Sequence, residues 1–208
     1  MSISYFEEIK RKAVHLSSLW MVAATLLLAE WQYVSCIVFF LLLLLTLVSE
    51  HDYANGGKYL GRLYGKLFGK MLRNEVKKGQ WIVSGGAPVL AAALMVNILF
   101  SPVIAASSLA VMLTGDAAAA LIGRKFGRRK LVNNKSLEGV ISFVIAGFLA
   151  VSIVFFVTGI PGKYFLWGFV AVAVGALAEL FQKQLILDDN FTIPLSCGSV
   201  LFLAFHFL

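Results

Sequence analysis

Long apolar stretches divide almost the whole sequence. Each approaches the roughly 20 residues that an α-helix needs to cross a bilayer core about 30 Å thick. We place these stretches at residues 13–29, 31–48, 80–100, 102–122, 139–158, 163–181 and 191–208. A helix satisfies its backbone hydrogen bonds internally, as a lipid environment requires. The sequence therefore predicts an all-α fold: a polytopic membrane bundle of about seven transmembrane helices.

The composition excludes two other classes of protein. Apolar residues make up 60% of the chain and charged residues only 14%, whereas a soluble domain carries about 25% charged residues. Disorder requires low hydrophobicity and high charge, which this chain lacks. We therefore expect residues 1–208 to form a single integral-membrane domain.

The distribution of basic residues predicts the orientation of the chain. Every Lys and Arg except Lys163 falls before the first apolar stretch, or after the second, fourth or sixth. These positions share one side of a seven-span chain, and the positive-inside rule makes that side cytoplasmic, together with the N-terminus. The net charge of +7 then reflects topology, and we expect no nucleic acid as a partner. The first stretch exceeds a signal-peptide core in length, so we expect it to be retained.

A four-residue repeat follows the second apolar stretch. It reads GKYL-GRLY-GKLF-GKML, so a glycine and then a base recur at every fourth position. In a helix over residues 57–73 this spacing places a glycine groove beside a basic ridge. One interpretation is an amphipathic helix that binds anionic lipid headgroups. The other is close helix packing through small residues, with the bases facing a phosphate ligand.

One carboxylate lies inside an apolar stretch. Asp116 precedes the predicted end of the fourth stretch by six residues, and charges at such depth mark function by default. Asp116, Ala120 and Gly123 share one helix face, where the small residues leave room for a ligand. Asp116 therefore has either a metal or phosphate role, or forms a buried ion pair with a neighbouring Arg or Lys.

The segment after Asp116 is rich in glycine and basic residues. Gly123 and Gly127 allow close approach to the backbone, and the next helix is predicted to begin near Ser136. Backbone N–H groups at a helix start, together with Arg124 and Lys135, can bind a polyphosphate. The spacing of a Walker A loop is absent. On physical grounds a solvated basic loop explains these residues equally well.

A third cluster contains oxygen ligands. Glu179 lies near the end of the sixth stretch, and Asp188, Asp189 and Asn190 precede the seventh. Such side chains suit Mg²⁺, although Asp and Asn also cap helices. Carboxylates and phosphate-binding bases on one membrane face are the residues that phosphoryl or nucleotidyl transfer requires.

Four motifs together resemble the polyprenol kinase family, which includes dolichol kinase, phytol kinase and the CTP-dependent diacylglycerol kinase. The first is Glu8-x-x-Arg11-Lys12-x-x-His15, and the second is the glycine-rich run 115–127 around Asp116. The third and fourth are Lys135-Ser-Leu-Glu138-Gly139 and Asp188-Asp189-Asn190-Phe-Thr-Ile-Pro194. Because the chain is shorter than eukaryotic dolichol kinases, the resemblance favours a compact homologue in a prokaryotic cell membrane.

The resemblance implies transfer of the γ-phosphate of CTP to a membrane lipid alcohol such as a polyprenol, dolichol, phytol or diacylglycerol, on the cytoplasmic face. Mg²⁺ is expected at Asp116 and Asp189, assisted by Asp188 or Glu179. CTP is expected to contact Arg11, Lys12, Gly123, Arg124, Gly127, Lys135, Ser136 and Asn190. Asp116, Lys135 and Glu138 are the candidate catalytic residues, with Asp116 or Glu138 accepting the hydroxyl proton. His15 is more simply explained as a packed histidine than as a catalyst.

Two other functions fit parts of the sequence. The CDP-diacylglycerol synthase family shares the Asp…Gly…Gly…Lys…Glu-Gly series, but its Pro-Gly-His-Gly-Gly run is absent here. A small transporter would place polar residues near mid-membrane and show an inverted repeat. No mirrored copy is evident, and the intramembrane charges cluster towards one face, so the kinase interpretation is favoured.

Overall fold

The computed structural model describes residues 5–57, 60–68, 85–185 and 187–207. Within these ranges the chain forms α-helices joined by short turns and contains no β-strand. The helices are α1 (Tyr5–Ser17), α2 (Trp20–Leu27), α3 (Gln32–Ala54), α4 (Leu60–Phe68), α5 (Gly86–Leu99), α6 (Pro102–Phe126), α7 (Leu137–Val157), α8 (Phe165–Leu180), α9 (Gln182–Leu185) and α10 (Asp189–Phe207).

Five helical segments in the described part of the chain are long and apolar enough to cross a membrane. They are Ala29–Ala54, Pro102–Phe126, Leu137–Val157, Gly162–Leu180 and Asp189–Phe207. The prediction of an all-α polytopic membrane bundle is confirmed, and the chain is an integral membrane protein. These five are candidates by length and composition, fewer than the seven or so that the sequence predicted, and α5 is a shorter apolar helix.

The first predicted span is not one helix. The chain turns at Ser18 and Leu19 between α1 and α2, so the continuous helix predicted over 13–29 is wrong. The eight residues of α2 extend only about 12 Å at 1.5 Å per residue. Helix α1 packs on α6 and buries its charged residues Glu8 and Lys12. The mean hydropathy of residues 13–29 hides the boundary between this polar helix and the apolar α2. A 3₁₀ turn at Ala29–Trp31 then leads into α3.

The third and seventh predicted spans have different outcomes. In the third predicted span the structure describes helix α5, whose 14 residues are too few to cross the membrane. Residues 80–84 of that span lie outside the described ranges. The seventh span forms one continuous helix, α10, which includes Pro194 and Gly198.

The glycine repeat forms α4, which packs on the C-terminal end of α3. A Cβ atom at Gly61 would lie 2.3 Å from the backbone nitrogen of Tyr53. A Cβ atom at Gly65 would lie equally close, 2.3 Å, to Cε2 of the Tyr53 ring. Close packing through small residues is therefore confirmed at these two positions; residues 58, 59 and 69–73 of the predicted segment lie outside the described ranges.

The helix α6 is the centre of the bundle and contacts α1, α2, α5, α7, α8 and α10. Its Leu109, Met112 and Leu113 are fully buried, as are Phe143 and Phe155 of α7. Burial of a large apolar side chain contributes about 1.5–3 kcal/mol. This interior holds α6 rigidly, and with it the carboxylate of Asp116.

A buried polar network fixes the end of the bundle where α6 begins. Asn97 of α5 donates to Thr25 of α2 at 3.2 Å, and Ser35 of α3 donates to the Asn97 side chain at 3.0 Å. Gln32 donates to the carbonyl oxygens of Asn97 and Phe100 at 2.6 Å. Because these polar groups have partners, the network joins three helices without leaving buried groups unsatisfied.

Candidate functional site

A cavity of about 1060 Å³ lies at the end of the bundle where α6 ends. Small-molecule sites typically have about 300–1,000 Å³, so this cavity is at the upper end of that range. Most of the predicted site residues line it: Arg11, Lys12, Asp116, Gly123, Arg124, Lys135, Ser136, Glu179, Asp188, Asp189 and Asn190. The structure thus brings together motifs from the two ends of the chain, from Arg11 to Asn190.

Asp116 of α6 forms an ion pair with Lys12 of α1. The Lys12 Nζ donates to Oδ2 of Asp116 at 2.5 Å, and the two side chains are only 8% and 12% exposed. The buried ion pair that the sequence left open for Asp116 is therefore present. Burial of a charge requires such pairing, because an isolated carboxylate in an apolar interior is strongly unfavourable.

His15 packs beside the same carboxylate. Its Nε2 lies 3.3 Å from Oδ2 of Asp116 without forming a hydrogen bond. Helix α1 lies outside the spanning segments, and burial there lowers the pKa of His15, although the Asp116 charge opposes this shift. The neutral imidazole is thus favoured, and the positive charge beside Asp116 comes mainly from Lys12.

Glu8 is a site residue that the sequence analysis did not assign. It is buried, and its carboxylate accepts from Arg11 at 2.7 Å and from Arg124 at 3.5 Å. Glu8 therefore holds two arginines, from α1 and α6, at one side of the cavity. The i, i+3 spacing of Glu8 and Arg11 was a usable signal, whereas the contact with Arg124 depends on tertiary packing.

Lys135 and Glu179 form a second ion pair across the cavity. The Lys135 Nζ donates to Oε1 of Glu179, whose side chain is 3% exposed. The prediction that Glu179 assists Mg²⁺ stays a prediction; in the structure its carboxylate is paired with Lys135.

Ser136 begins α7 as its N-cap residue. Its hydroxyl accepts from the backbone N–H of Gly139 at 3.1 Å. The first turn of α7 therefore starts at the cavity wall with its N-terminal dipole end nearest to the site. The position predicted for a phosphate-binding helix start is consistent with this arrangement.

Glycines bring α6 and α7 into close contact. A Cβ atom at Gly123 would lie 3.3 Å from Cα of Gly139, and one at Gly127 would lie 2.1 Å from the carbonyl oxygen of Gly123. The carboxylate of Glu138 accepts from the backbone N–H of Arg129 at 3.3 Å. Gly127 and Glu138 are not among the described residues that line the cavity, and their predicted roles stay predictions.

The acidic segment before α10 caps that helix and also faces the cavity. Oδ1 of Asp188 accepts from the backbone N–H of Asn190 at 2.9 Å and from its side-chain amide at 2.6 Å. The capping interpretation is confirmed for Asp188. Asp189 and Asn190 line the same cavity as Asp116.

The described ranges contain no group of three or more His, Cys, Asp or Glu side chains arranged to hold a metal ion. Mg²⁺ is usually held by one or two carboxylates together with water and substrate phosphates, rather than by an all-protein cage. Two carboxylates on one cavity wall, Asp116 and Asp189, fit that mode of binding.

Comparison with known proteins finds one relative that matches nearly the whole chain and others that match about half of it. An uncharacterized protein of Rickettsia prowazekii is 28% identical over 193 residues, which cover 91% of this chain and 90% of that protein. About half of the chain is similar to plant phytol kinases. A probable phytol kinase 1 of Glycine max is 32% identical over 109 residues, and phytol kinase 1 of Arabidopsis thaliana is 32% identical over 113 residues.

These plant matches cover 48% of this chain and 36% of each plant protein. The chain thus spans about a third of the length of the phytol kinases that it matches. No family model matches the sequence, and no solved structure matches it.

Proposed function

We propose that this protein is a membrane kinase for lipid alcohols that transfers the γ-phosphate of CTP to a hydroxyl group. The observation that carries the proposal is the single cavity in which Asp116, Asp189, Lys12 and Lys135 meet beside apolar walls. The similarity to plant phytol kinases over about half of the chain supports the same chemistry. The distribution of bases supports a cytoplasmic location for this end of the bundle.

The basic residues of the cavity bind the triphosphate. Arg11 and Arg124, held by Glu8, present guanidinium groups that suit phosphate oxygens. Lys135 adds an ammonium group, and the backbone N–H groups at the start of α7 add the positive end of a helix dipole. Phosphoryl transfer depends mainly on such positioning and charge stabilisation, rather than on a strong base.

Mg²⁺ would be held by Asp116 and Asp189, with phosphate oxygens completing the ligand set. When bound, it neutralises charge that develops on the phosphates. The ammonium group of Lys12 lies against Oδ2 of Asp116 and fixes the position of this carboxylate in the cavity.

The acceptor hydroxyl lies beside Asp116 in this proposal. Its oxygen forms a bond to the γ-phosphorus while the bond from that phosphorus to the β–γ bridging oxygen breaks, and CDP leaves. The hydroxyl proton passes to a carboxylate, either Asp116 or Glu138. Oε1 of Glu138 accepts from the backbone N–H of Arg129 at 3.3 Å, whereas its Oε2 is buried without a hydrogen-bond partner among the described residues.

The proposal is tested with the purified chain in lipid nanodiscs supplied with Mg²⁺. CTP and ATP, each labelled at the α or the γ position, are offered with phytol, a polyprenol, diacylglycerol and phosphatidate. We expect label from γ-labelled CTP in a lipid alcohol and none from α-labelled CTP. Transfer of the α label to phosphatidate would identify a cytidylyltransferase instead, and γ label from ATP alone would overturn the proposed donor.

A further inference from the structure

Part of the cavity lining is mainly apolar and comes from a different set of helices than the ionic residues, although Thr46, Ser49 and Tyr64 also belong to it. Its apolar residues are Met21 of α2, Leu45 of α3, Leu60 and Leu63 of α4, and Val89 and Leu90 of α5. We call these six residues the apolar arm. The ionic residues lie instead on α1, α6, α8, α10 and the segment before α7.

The apolar arm and the ionic residues lie on different helices that are in contact with each other. Helix α3 packs on α4 and α5, and α6 packs on α7 and α10 as well as on α2 and α5. Helix α1 lies against α6 and points Lys12 towards Asp116. The cavity is thus lined by charged side chains that include Lys12 and Asp116 and by apolar side chains from α3 and α4.

The apolar arm reaches the lipid-facing surface of the bundle at α3. Leu45 lines the cavity and is also 50% exposed. Leu41 and Val48, which share a helix face with Leu45 at i, i+4, i+7 spacing, are 55% and 47% exposed. Since α3 belongs to a segment long and apolar enough to span a membrane, Leu45 joins the cavity to an exposed apolar stripe that is suited to lipid tails.

Helix α4 is held in place as the outer wall of this arm. Its Tyr64 donates to the buried Glu50 of α3 at 3.1 Å, and the N–H of Gly61 donates to Asp52 at 2.7 Å. The close contact of Gly65 with Tyr53 allows the two helices to approach. The glycine repeat thus places Leu60 and Leu63 over the cavity, a role that its basic residues alone do not explain.

We propose that the apolar arm binds the hydrocarbon chain of the acceptor alcohol, which enters sideways from the bilayer past Leu45 and Leu63. This inference rests on the proposed function, because it assigns the tail site of the same acceptor. An apolar chain in the arm continues the lipid-facing stripe of α3 and directs the hydroxyl towards Asp116. Burial of the chain supplies binding energy, and the ionic wall supplies the chemistry.

The first test measures binding without requiring phosphate transfer. A long-chain alcohol that carries a diazirine in its chain is photocrosslinked to the full chain in nanodiscs, and the labelled peptides are identified by mass spectrometry. We expect labelling of α3 and α4 at Leu45 or Leu63 that excess phytol suppresses. Labelling that phytol does not suppress, or equal labelling of the outer face of α7, would overturn the assignment.

The second test narrows the arm. Leu63→Trp and Leu45→Trp fill it from two helices, and both positions are exposed enough to accept a larger ring. We expect each to raise the KM for long-chain alcohols about 10-fold, with the KM for CTP unchanged. The matched control is Leu149→Trp, which enlarges a side chain on α7 that is 59% exposed. Equal effects of all three variants would contradict a tail site at this wall.

The two tests separate the tail site from the proposed reaction. Suppressible labelling at the arm in a protein that transfers no phosphate would overturn the kinase and retain a lipid-alcohol site. Phosphate transfer with labelling elsewhere would retain the kinase and overturn the arm.

Discussion

Lys12 and Asp116 are 104 positions apart in the chain, and their side chains meet at 2.5 Å between α1 and α6. The pair holds α1 against α6, and Arg11, Lys12 and His15 of α1 line the cavity. The negative charge of Asp116 is therefore balanced by a residue of the N-terminal helix.

Lys12→Met tests the contribution of this pair to folding. The substitution leaves the buried Asp116 carboxylate without its ammonium partner, and loss of one member of a buried pair typically costs about 3–5 kcal/mol. We expect a clear fall in the unfolding temperature in detergent, measured by circular dichroism. Lys12→Met combined with Asp116→Asn removes both charges and is expected to recover much of the loss.

The matched control for that prediction is Lys10→Met. Lys10 is exposed and lies over the ring of Phe6 at 4.6 Å from its centroid, so its loss is expected to change stability little. If the two lysine variants unfolded alike, the ion pair would not stabilise the site.

Glu179→Gln separates a positioning role from a metal role. If Glu179 acts by holding Lys135, the variant raises the KM for CTP about 10-fold, or about 1.4 kcal/mol. The double variant with Lys135→Met is then no worse than Lys135→Met alone, because the two changes remove one interaction. Steady-state kinetics over a series of CTP and Mg²⁺ concentrations measure both effects.

Two outcomes would speak against the positioning role of Glu179. One is additive losses in the double variant, and the other is a higher Mg²⁺ requirement when Lys135 is already absent. Glu30→Gln is the control, since Glu30 is exposed in the 3₁₀ turn before α3.

Gly123→Ala tests the close approach of α6 and α7. The added Cβ would lie 2.9 Å from Oγ of Ser136 and 3.3 Å from Cα of Gly139. We expect a loss of about 1–3 kcal/mol, typical of overpacking, together with weaker CTP binding because the start of α7 shifts. Gly162→Ala is the control, because a Cβ there meets open space. Equal stability of the two variants would exclude a steric role for Gly123.

The spanning helices could be predicted from the sequence because lipid imposes a simple length and polarity rule. The rule failed at residues 13–29, where a hydropathy window averages across the turn at Ser18. Nothing local in the sequence marks this turn strongly. It is stabilised by contacts of α1 with α6, which form only in the folded bundle.

The gathering of the charged motifs in one cavity could also be predicted, since their positions in the loops place them at the same end of the bundle. The pairing within the site could not. Glu179 contacts Lys135 across 44 positions, and Glu8 contacts Arg124 across 116. Such partners depend on helix rotation and packing. The apolar arm is invisible in the sequence for the same reason, because its residues come from four helices.

The central claim is that phosphate transfer occurs at Asp116, and Asp116→Asn tests it most directly. The measurement is the rate of γ-label transfer from CTP to phytol in nanodiscs, with size-exclusion chromatography and circular dichroism to confirm folding, and Glu30→Gln as the charge control. We predict background transfer by folded Asp116→Asn and full transfer by Glu30→Gln. Transfer by Asp116→Asn near the wild-type rate would contradict the account.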